Sequence, residues 1–284
     1  MAHTACQVVA FPSRPVSSLI APREHGAWGL LFVPLITGGA SGLLAGGNWP
    51  PLAAFATAAF ALFWLRTPME AWMGAGLVRP QTQRERQAVA VTILTLSALA
   101  VLALGALFWS GHNRGLLVLG AFAAVAFLLQ TLLRKLGRRT RMLSQIVGTI
   151  GLTVTAPAAY YLATGQLNRQ AWTLWAANFL FAGNQIHFVQ LRIHSARLNG
   201  WSQKFRQGRV FLAGEVLMTA ALVLAWRFHL LSWLAALAFL PLIVRGAAWF
   251  FEGQTPLLVR RLGWTELTYA IVFGICFIAG FRLR

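Results

Sequence analysis

The sequence contains no aspartate, and its only acidic residues are six glutamates: Glu24, Glu70, Glu85, Glu215, Glu252 and Glu266. That absence excludes paired-aspartate metal motifs and any catalytic aspartate. Cysteine is nearly missing as well, with Cys6 and Cys276 at opposite ends of the chain. Two residues so placed give neither a disulfide framework nor a cysteine metal site. Charged residues of any kind make up only 11% of the chain. No loop is long enough for a separate soluble domain, and no internal repeat is visible. Residues 1–22 lack the apolar core and small-residue cleavage site of a signal peptide and read as a disordered cytoplasmic tail.

What the chain does have is apolar length. Of 284 residues, 58% are hydrophobic, and the mean hydropathy is +0.64. Apolar runs recur at lengths that cross a hydrocarbon core of ~30 Å. The fold class that follows is an all-α polytopic membrane protein with about nine spans. They run from Gly26 to Gly46, Pro51 to Leu65, Ala88 to Trp109, Gly115 to Leu133, Leu143 to Ala163, Ala171 to Leu191, Val210 to Trp226, Leu230 to Val244 and Trp264 to Phe281. Residues 23–284 read as one transmembrane domain.

The 24 Lys and Arg, nearly all arginine, give a formal charge of +18. Nucleic-acid binding is not implied, because the charge sits in short loops between spans. The amino-terminal tail and the loops after spans two, four, six and eight hold 19 of these residues, against 5 on the other side. The positive-inside rule then puts the amino terminus in the cytoplasm and the carboxyl terminus outside. All six glutamates fall on the cytoplasmic side or enter spans from it. The longer loops lie there too, which makes that face the favoured place for function.

Five constellations carry polar chemistry. Arg23-Glu24-His25 lies at the start of span one, with Glu24 complementing the helix terminus and His25 able to titrate near neutral pH. Arg66-Thr67-Pro68-Met69-Glu70, with Arg79 beyond it, could grip phosphate or carboxylate; Pro68 argues against an unbroken helical turn pairing Arg66 with Glu70. Span six and its exit carry Asn178, Asn184, Gln185, His187, Gln190, Arg192 and His194. Such a polar load faces a bundle interior or a wet cavity. His187 and His194 are ~10.5 Å apart on a regular helix, too far to share a metal ion. Glu215 enters span seven about six residues, or ~9 Å, past Arg209, with His187, Arg192 and Arg23 as candidate partners. Glu266 falls in the expected first turn of span nine, where it complements the helix dipole.

Arg23-Glu24-His25-Gly26-Ala27-Trp28, Val33-Pro34-Leu35, Arg66 to Glu70, and Leu262-Gly263-Trp264-Thr265-Glu266 together resemble the YwiC-like family of bacterial membrane proteins. More loosely, nine spans with long loops after spans two and six resemble UbiA-type intramembrane prenyltransferases. Those enzymes hold magnesium and a prenyl diphosphate on Asp-rich motifs in these two loops. This chain has only Glu70 and Glu85 in the first loop and no acid in the second. The resemblance therefore carries the shape and not the magnesium chemistry, and no cofactor is expected.

The leading expectation is a bacterial inner-membrane protein with a polar cavity open to the cytoplasm. There it would bind or modify an anionic lipid, an isoprenoid or quinone-type lipid, in the manner of a prenyltransferase-like transferase. Arg23, Arg66, Arg79, Asn184, His187, Arg192 and Arg197 would hold the ligand. Glu24, His25, Glu70, Glu215 and Glu266 would supply acid–base or orienting groups. A second expectation is a proton-coupled carrier using Glu215 with His187. A third is an accessory subunit of a respiratory membrane complex.

Overall fold

A computed structural model describes residues 17–21, 25–74, 79–109, 111, 113–137, 140–196, 198, 200–253 and 258–282. Regular structure among them is entirely helical. That is the outcome hydrocarbon dictates, since a helix satisfies its own backbone hydrogen bonds where no water can. Seven stretches are long and apolar enough to cross a membrane: Trp49–Trp72, Gln83–Trp109, Arg114–Lys135, Met142–Thr164, Trp201–Arg227, Trp233–Phe251 and Arg260–Phe281. The chain is a multi-pass membrane protein.

Two compact units divide it. The first comprises residues 1–23 and 57–102, the second residues 24–56 and 103–284. In the first, α1 (Ser17–Ile20) is held by Trp64, whose indole Nε1 donates to the Ile20 carbonyl at 2.9 Å. Leu19, Ala71 and Val89 form a small buried core around it. Helix α3 (Trp49–Trp72) runs through Pro68 without a break, although a proline there removes a backbone donor. Arg66 and Glu70 therefore do meet one turn apart, at 2.8 Å, which corrects the expectation of an interrupted turn. Helix α4 (Gln83–Trp109) opens on a reciprocal cap. The Glu85 carboxylate accepts from the amides of Gln81 and Thr82, and the Thr82 hydroxyl accepts from the Glu85 amide.

In the second unit, α2 (His25–Leu44) and α7 (Thr155–Thr164) pack at backbone contact. Gly38 and Gly42 make this possible. A Cβ on Gly38 would lie 2.1 Å from the Ala156 carbonyl oxygen, and one on Gly42 would lie 2.7 Å from the Ala163 Cβ. Small residues four apart are the usual means of close approach between helices in lipid, where packing rather than water exclusion drives association. Helix α6 (Arg141–Thr153) leads into α7 through a kink at Val154, three residues before Pro157. Helix α5 (Asn113–Lys135) packs against α6, with the Ser144 hydroxyl donating to the Gln130 carbonyl at 3.2 Å.

The remaining helices are α8 (Arg169–His194), α9 (Trp201–Arg227), the short α10 (Trp233–Leu237), α11 (Leu240–Phe251) and α12 (Val259–Arg282). Asn168 caps α8, accepting from the amides of Gln170 and Ala171. An apolar core joins these helices: Phe181 stacks on Phe273 at 4.2 Å, with Phe239 and Phe277 beside them. One polar tether crosses this core, where the Thr37 hydroxyl meets Asn178 Oδ1 at 3.1 Å and both residues are fully buried.

Candidate functional site

Helical rise sets the depth of the site. Asn184 lies eight residues before Arg192 on α8, about 12 Å. Glu215 lies six residues after Arg209 on α9, about 9 Å. Arg245 lies seven residues before Glu252 at the end of α11, about 10 Å, and Glu266 five after Arg261 on α12, about 8 Å. Helices α8 and α11 run towards this basic end, and α9 and α12 run away from it. All four bring their polar residue to a similar level within apolar helices.

They meet in one hydrogen-bonded chain. Arg245 Nη1 donates to Glu266 Oε2 as a buried ion pair. Arg245 Nη2 donates to Asn184 Oδ1 at 2.8 Å. Asn184 Nδ2 donates in turn to Glu215 Oε1 at 2.7 Å. With a cation on one side of the amide and an anion on the other, only one orientation of Asn184 satisfies both. Gln185 Nε2 donates to the backbone carbonyl of Glu266 at 2.8 Å, tying α8 to α12. Glu215, Arg245 and Glu266 are 8, 7 and 3% exposed.

The surroundings fix this arrangement. The Arg245 guanidinium carbon lies 4.1 Å from the centre of the Phe188 ring and 5.1 Å from that of Tyr269, so two aromatic faces flank the cation. Gly246 makes room for Glu215: a Cβ there would stand 2.8 Å from Glu215 Oε1 and 3.0 Å from Phe211. His187, half-buried, lies one turn from Asn184 towards the basic end and turns the face of α8 towards Gly214, the neighbour of Glu215. Its ring meets Phe211 edge-on at 5.3 Å.

The charge count is uneven. Within this hydrogen-bonded chain alone, two carboxylates stand to one guanidinium, one negative charge in excess when all three are ionised, and Arg192 at the rim is the next cation to act on Glu266. Uncompensated charge in an apolar interior is costly, so such a site draws in a positive charge. Among the buried side-chain atoms without a hydrogen-bond partner are three oxygens of this cluster: Glu215 Oε2, Glu266 Oε1 and Gln185 Oε1. The two acids are also unequal. Glu266 is bound directly by the guanidinium, whereas Glu215 is held by a neutral amide.

Nearer the basic end lies a second layer. The buried ammonium of Lys204 donates to the carbonyls of Trp249 and Glu252, at 3.1 and 2.7 Å, and so closes the carboxyl end of α11. Arg192 pairs with Glu252 at 2.9 Å on the exposed rim.

Of the residues expected from sequence, the structure brings Asn184, Glu215 and Glu266 together and sets His187 beside them. Two placements are corrected. Helix α12 begins at Val259, so Glu266 stands about two turns inside it rather than in its first turn. Glu215 finds its cation in Arg245, through Asn184, and Arg192 turns instead to Glu252. Arg245 lies one residue past the expected end of the eighth span at Val244 and so falls outside the residues expected from sequence. The apolar run resumes after it, Gly246 to Phe251, and a lone arginine between two apolar stretches is the signal that would have placed it inside a span. Glu70 and Arg66 pair with each other in the first unit, and Arg79 Nε donates to the Gly74 carbonyl there at 3.0 Å. Arg23, Glu24 and Arg197 lie outside the described residues, as does the side chain of His25.

The model of the family described as YwiC-like protein matches residues 21–160, which bears out the resemblance carried by the Arg23–Trp28 and Arg66–Glu70 motifs. The buried cluster of α8, α9, α11 and α12 lies beyond the matched residues. No curated protein and no solved structure matches the chain.

Proposed function

We propose, for a multi-pass membrane protein that is YwiC-like over residues 21–160, that it is a proton-coupled carrier of the bacterial inner membrane. The observation that carries this reading is the sharing of one guanidinium, Arg245, by two buried carboxylates, Glu215 and Glu266. Such a site is balanced by taking up one positive charge and unbalanced by releasing it. Glu215 is the exchanging group, because no cation touches it. Glu266 stays ionised in its pair with Arg245. Asn184, bonded to both Glu215 and Arg245, couples them.

The carrier has nine spans, with α2 and α8 joining the seven long apolar stretches. Its amino terminus is cytoplasmic, as the bias of 19 basic residues to 5 supports. The cluster then lies roughly 8–12 Å below the cytoplasmic edge. His187, between the exposed His194 and the seam at Gly214, is the group that passes protons between Glu215 and the cytoplasm.

Lipid binding stands second. The basic rim of Arg206, Arg209, Arg260 and Arg261 suits anionic headgroups. Weighing against a specific anion grip, Arg66, Arg192 and Arg245 are each already held by a carboxylate.

The test is a rapid pH step on proteoliposomes adsorbed to a solid-supported membrane. The wild type is expected to give a transient current, Glu215→Gln to give none, and Glu70→Gln to keep it. A wild type without current, or one matched by Glu215→Gln, contradicts the reading.

A further inference from the structure

The apolar stretch from Trp233 to Phe251 is folded as two helices, α10 and α11. They part at Ala238-Phe239, just before Pro241, which has no amide hydrogen to donate back to the preceding turn. The two halves are fastened differently. Helix α10 is bound to α12: the Ser232 hydroxyl donates to the Gly280 carbonyl at 2.6 Å, and a Cβ on Gly280 would stand 2.4 Å from the Ala235 amide nitrogen. Phe239, at the break, packs against Phe273 and Phe277. Helix α11 carries Arg245, then Trp249 and Phe250, and ends at Glu252.

Those residues belong to three successive layers. Between the charged cluster and the basic end lies a buried apolar layer of Phe188, Leu191, Phe211, Trp249 and Phe250. Here α9 and α11 pack ring on glycine in both directions. A Cβ on Gly246 of α11 would stand 3.0 Å from the Phe211 ring, and one on Gly208 of α9 would stand 2.6 Å from the Phe250 ring. Such contacts hold by shape and dispersion alone, so they can separate without stranding a polar group. The polar ties lie at the helix end, and Glu252 receives both. Its carboxylate pairs with Arg192 of α8 at 2.9 Å, and its carbonyl accepts from Lys204 of α9 at 2.7 Å. Counting from Phe239, Arg245 stands about 9 Å along the helix and Glu252 about 20 Å. A swing about the break therefore moves the end roughly twice as far as the buried ion pair, and the apolar layer opens while Arg245 stays near Glu266.

We propose that α11 is a hinged gate, pivoting at Ala238-Phe239 and latched at Glu252 by Arg192 and Lys204, whose release admits water from the cytoplasm to the buried acids. The inference rests on the exchange reading above, which requires Glu215 to meet water. Both Glu215 and Glu266 are covered with the latch made.

The experiment measures the rate at which a positively charged, water-soluble methanethiosulfonate modifies a single thiol in the purified full-length protein, with Cys6 and Cys276 replaced by serine. Leu191→Cys places the thiol in the apolar layer, and Leu222→Cys places it in the separate core of α9 as a control. Glu252→Gln and Arg192→Gln are each expected to speed modification at Leu191→Cys roughly fivefold to tenfold, the worth of one hydrogen bond to a charged group at a partly exposed site. Neither should change the rate at Leu222→Cys. Sodium chloride at about 1 M, which screens the Arg192–Glu252 pair, should speed Leu191→Cys alone but not Leu191→Cys with Glu252→Gln, so the latch is also read without altering it. A rate at Leu191→Cys that neither substitution nor salt changes overturns the proposal, and so does an equal rise at Leu222→Cys, which marks general loosening. If pH-step currents are present while access does not respond, the gate is wrong and the exchange reading stands. If access responds while the wild type gives no current, the exchange reading falls and the latch stands.

Discussion

Arg245 reaches Glu266 from inside α11, so that the ion pair lies under the helix ends rather than among them. Asn184 extends the same guanidinium's influence to Glu215. One cation thus orders two acids on two different helices.

Removing Arg245 alone strands two carboxylates in an apolar interior. Arg245→Met is expected to lose roughly 3–5 kcal/mol, the range for breaking one side of a buried pair. The double variant Arg245→Met with Glu266→Gln should recover much of that loss, since the stranded charge is gone. Denaturant unfolding of both in the same detergent checks this. A double variant no better than the single one contradicts it.

Exposed pairs should behave differently. Arg66 and Glu70 keep 48 and 40% of their side-chain surface in the open. Arg66→Ala is expected to cost no more than about 1 kcal/mol, as exposed ion pairs generally do. The same unfolding measurement makes the comparison.

Gly246 and Gly120 form a matched contrast. A Cβ at Gly246 collides with Glu215 and Phe211, whereas one at Gly120 meets nothing within 4 Å. Gly246→Ala should destabilise by about 1–3 kcal/mol, the usual cost of overpacking, and should lose the pH-step current with it. Gly120→Ala should be neutral or slightly stabilising, since alanine is the better helix former.

Close packing of α2 on α7 makes a harsher demand. Gly38→Ala would bring a Cβ within 2.1 Å of the Ala156 carbonyl oxygen, a backbone atom that cannot turn aside. The two helices must separate, and a drop in melting temperature larger than that of Gly246→Ala is expected. An unchanged melting temperature would show that the helices do not touch there.

Much of this was legible from the chain. Apolar runs read directly as helices because hydrocarbon permits little else, and each run corresponds to a helix or a kinked pair of helices. Polar residues in apolar surroundings are legible for the same reason, and Asn184, His187, Glu215 and Glu266 stand out in the sequence on that ground. Partners were not legible. Which carboxylate meets which cation depends on helix rotation and on packing between segments far apart in sequence, as with Arg245 and Asn184, 61 residues apart. Helix ends were the other weak point. Val259 begins α12 before Arg260 and Arg261, and α3 continues through Pro68, so Glu266 sits deeper and Glu70 closer to Arg66 than charge and proline rules imply. Both rules describe averages at helix ends, and both yield to packing.

The central claim is that one exchangeable proton resides on Glu215 while Arg245 holds Glu266 ionised. Infrared difference spectroscopy across a pH step, following the C=O stretch of a protonated carboxylic acid, tests it most directly. The account predicts such a band in the wild type, its retention in Glu266→Gln and its loss in Glu215→Gln. A band that survives in Glu215→Gln, or a wild type without one, would contradict it.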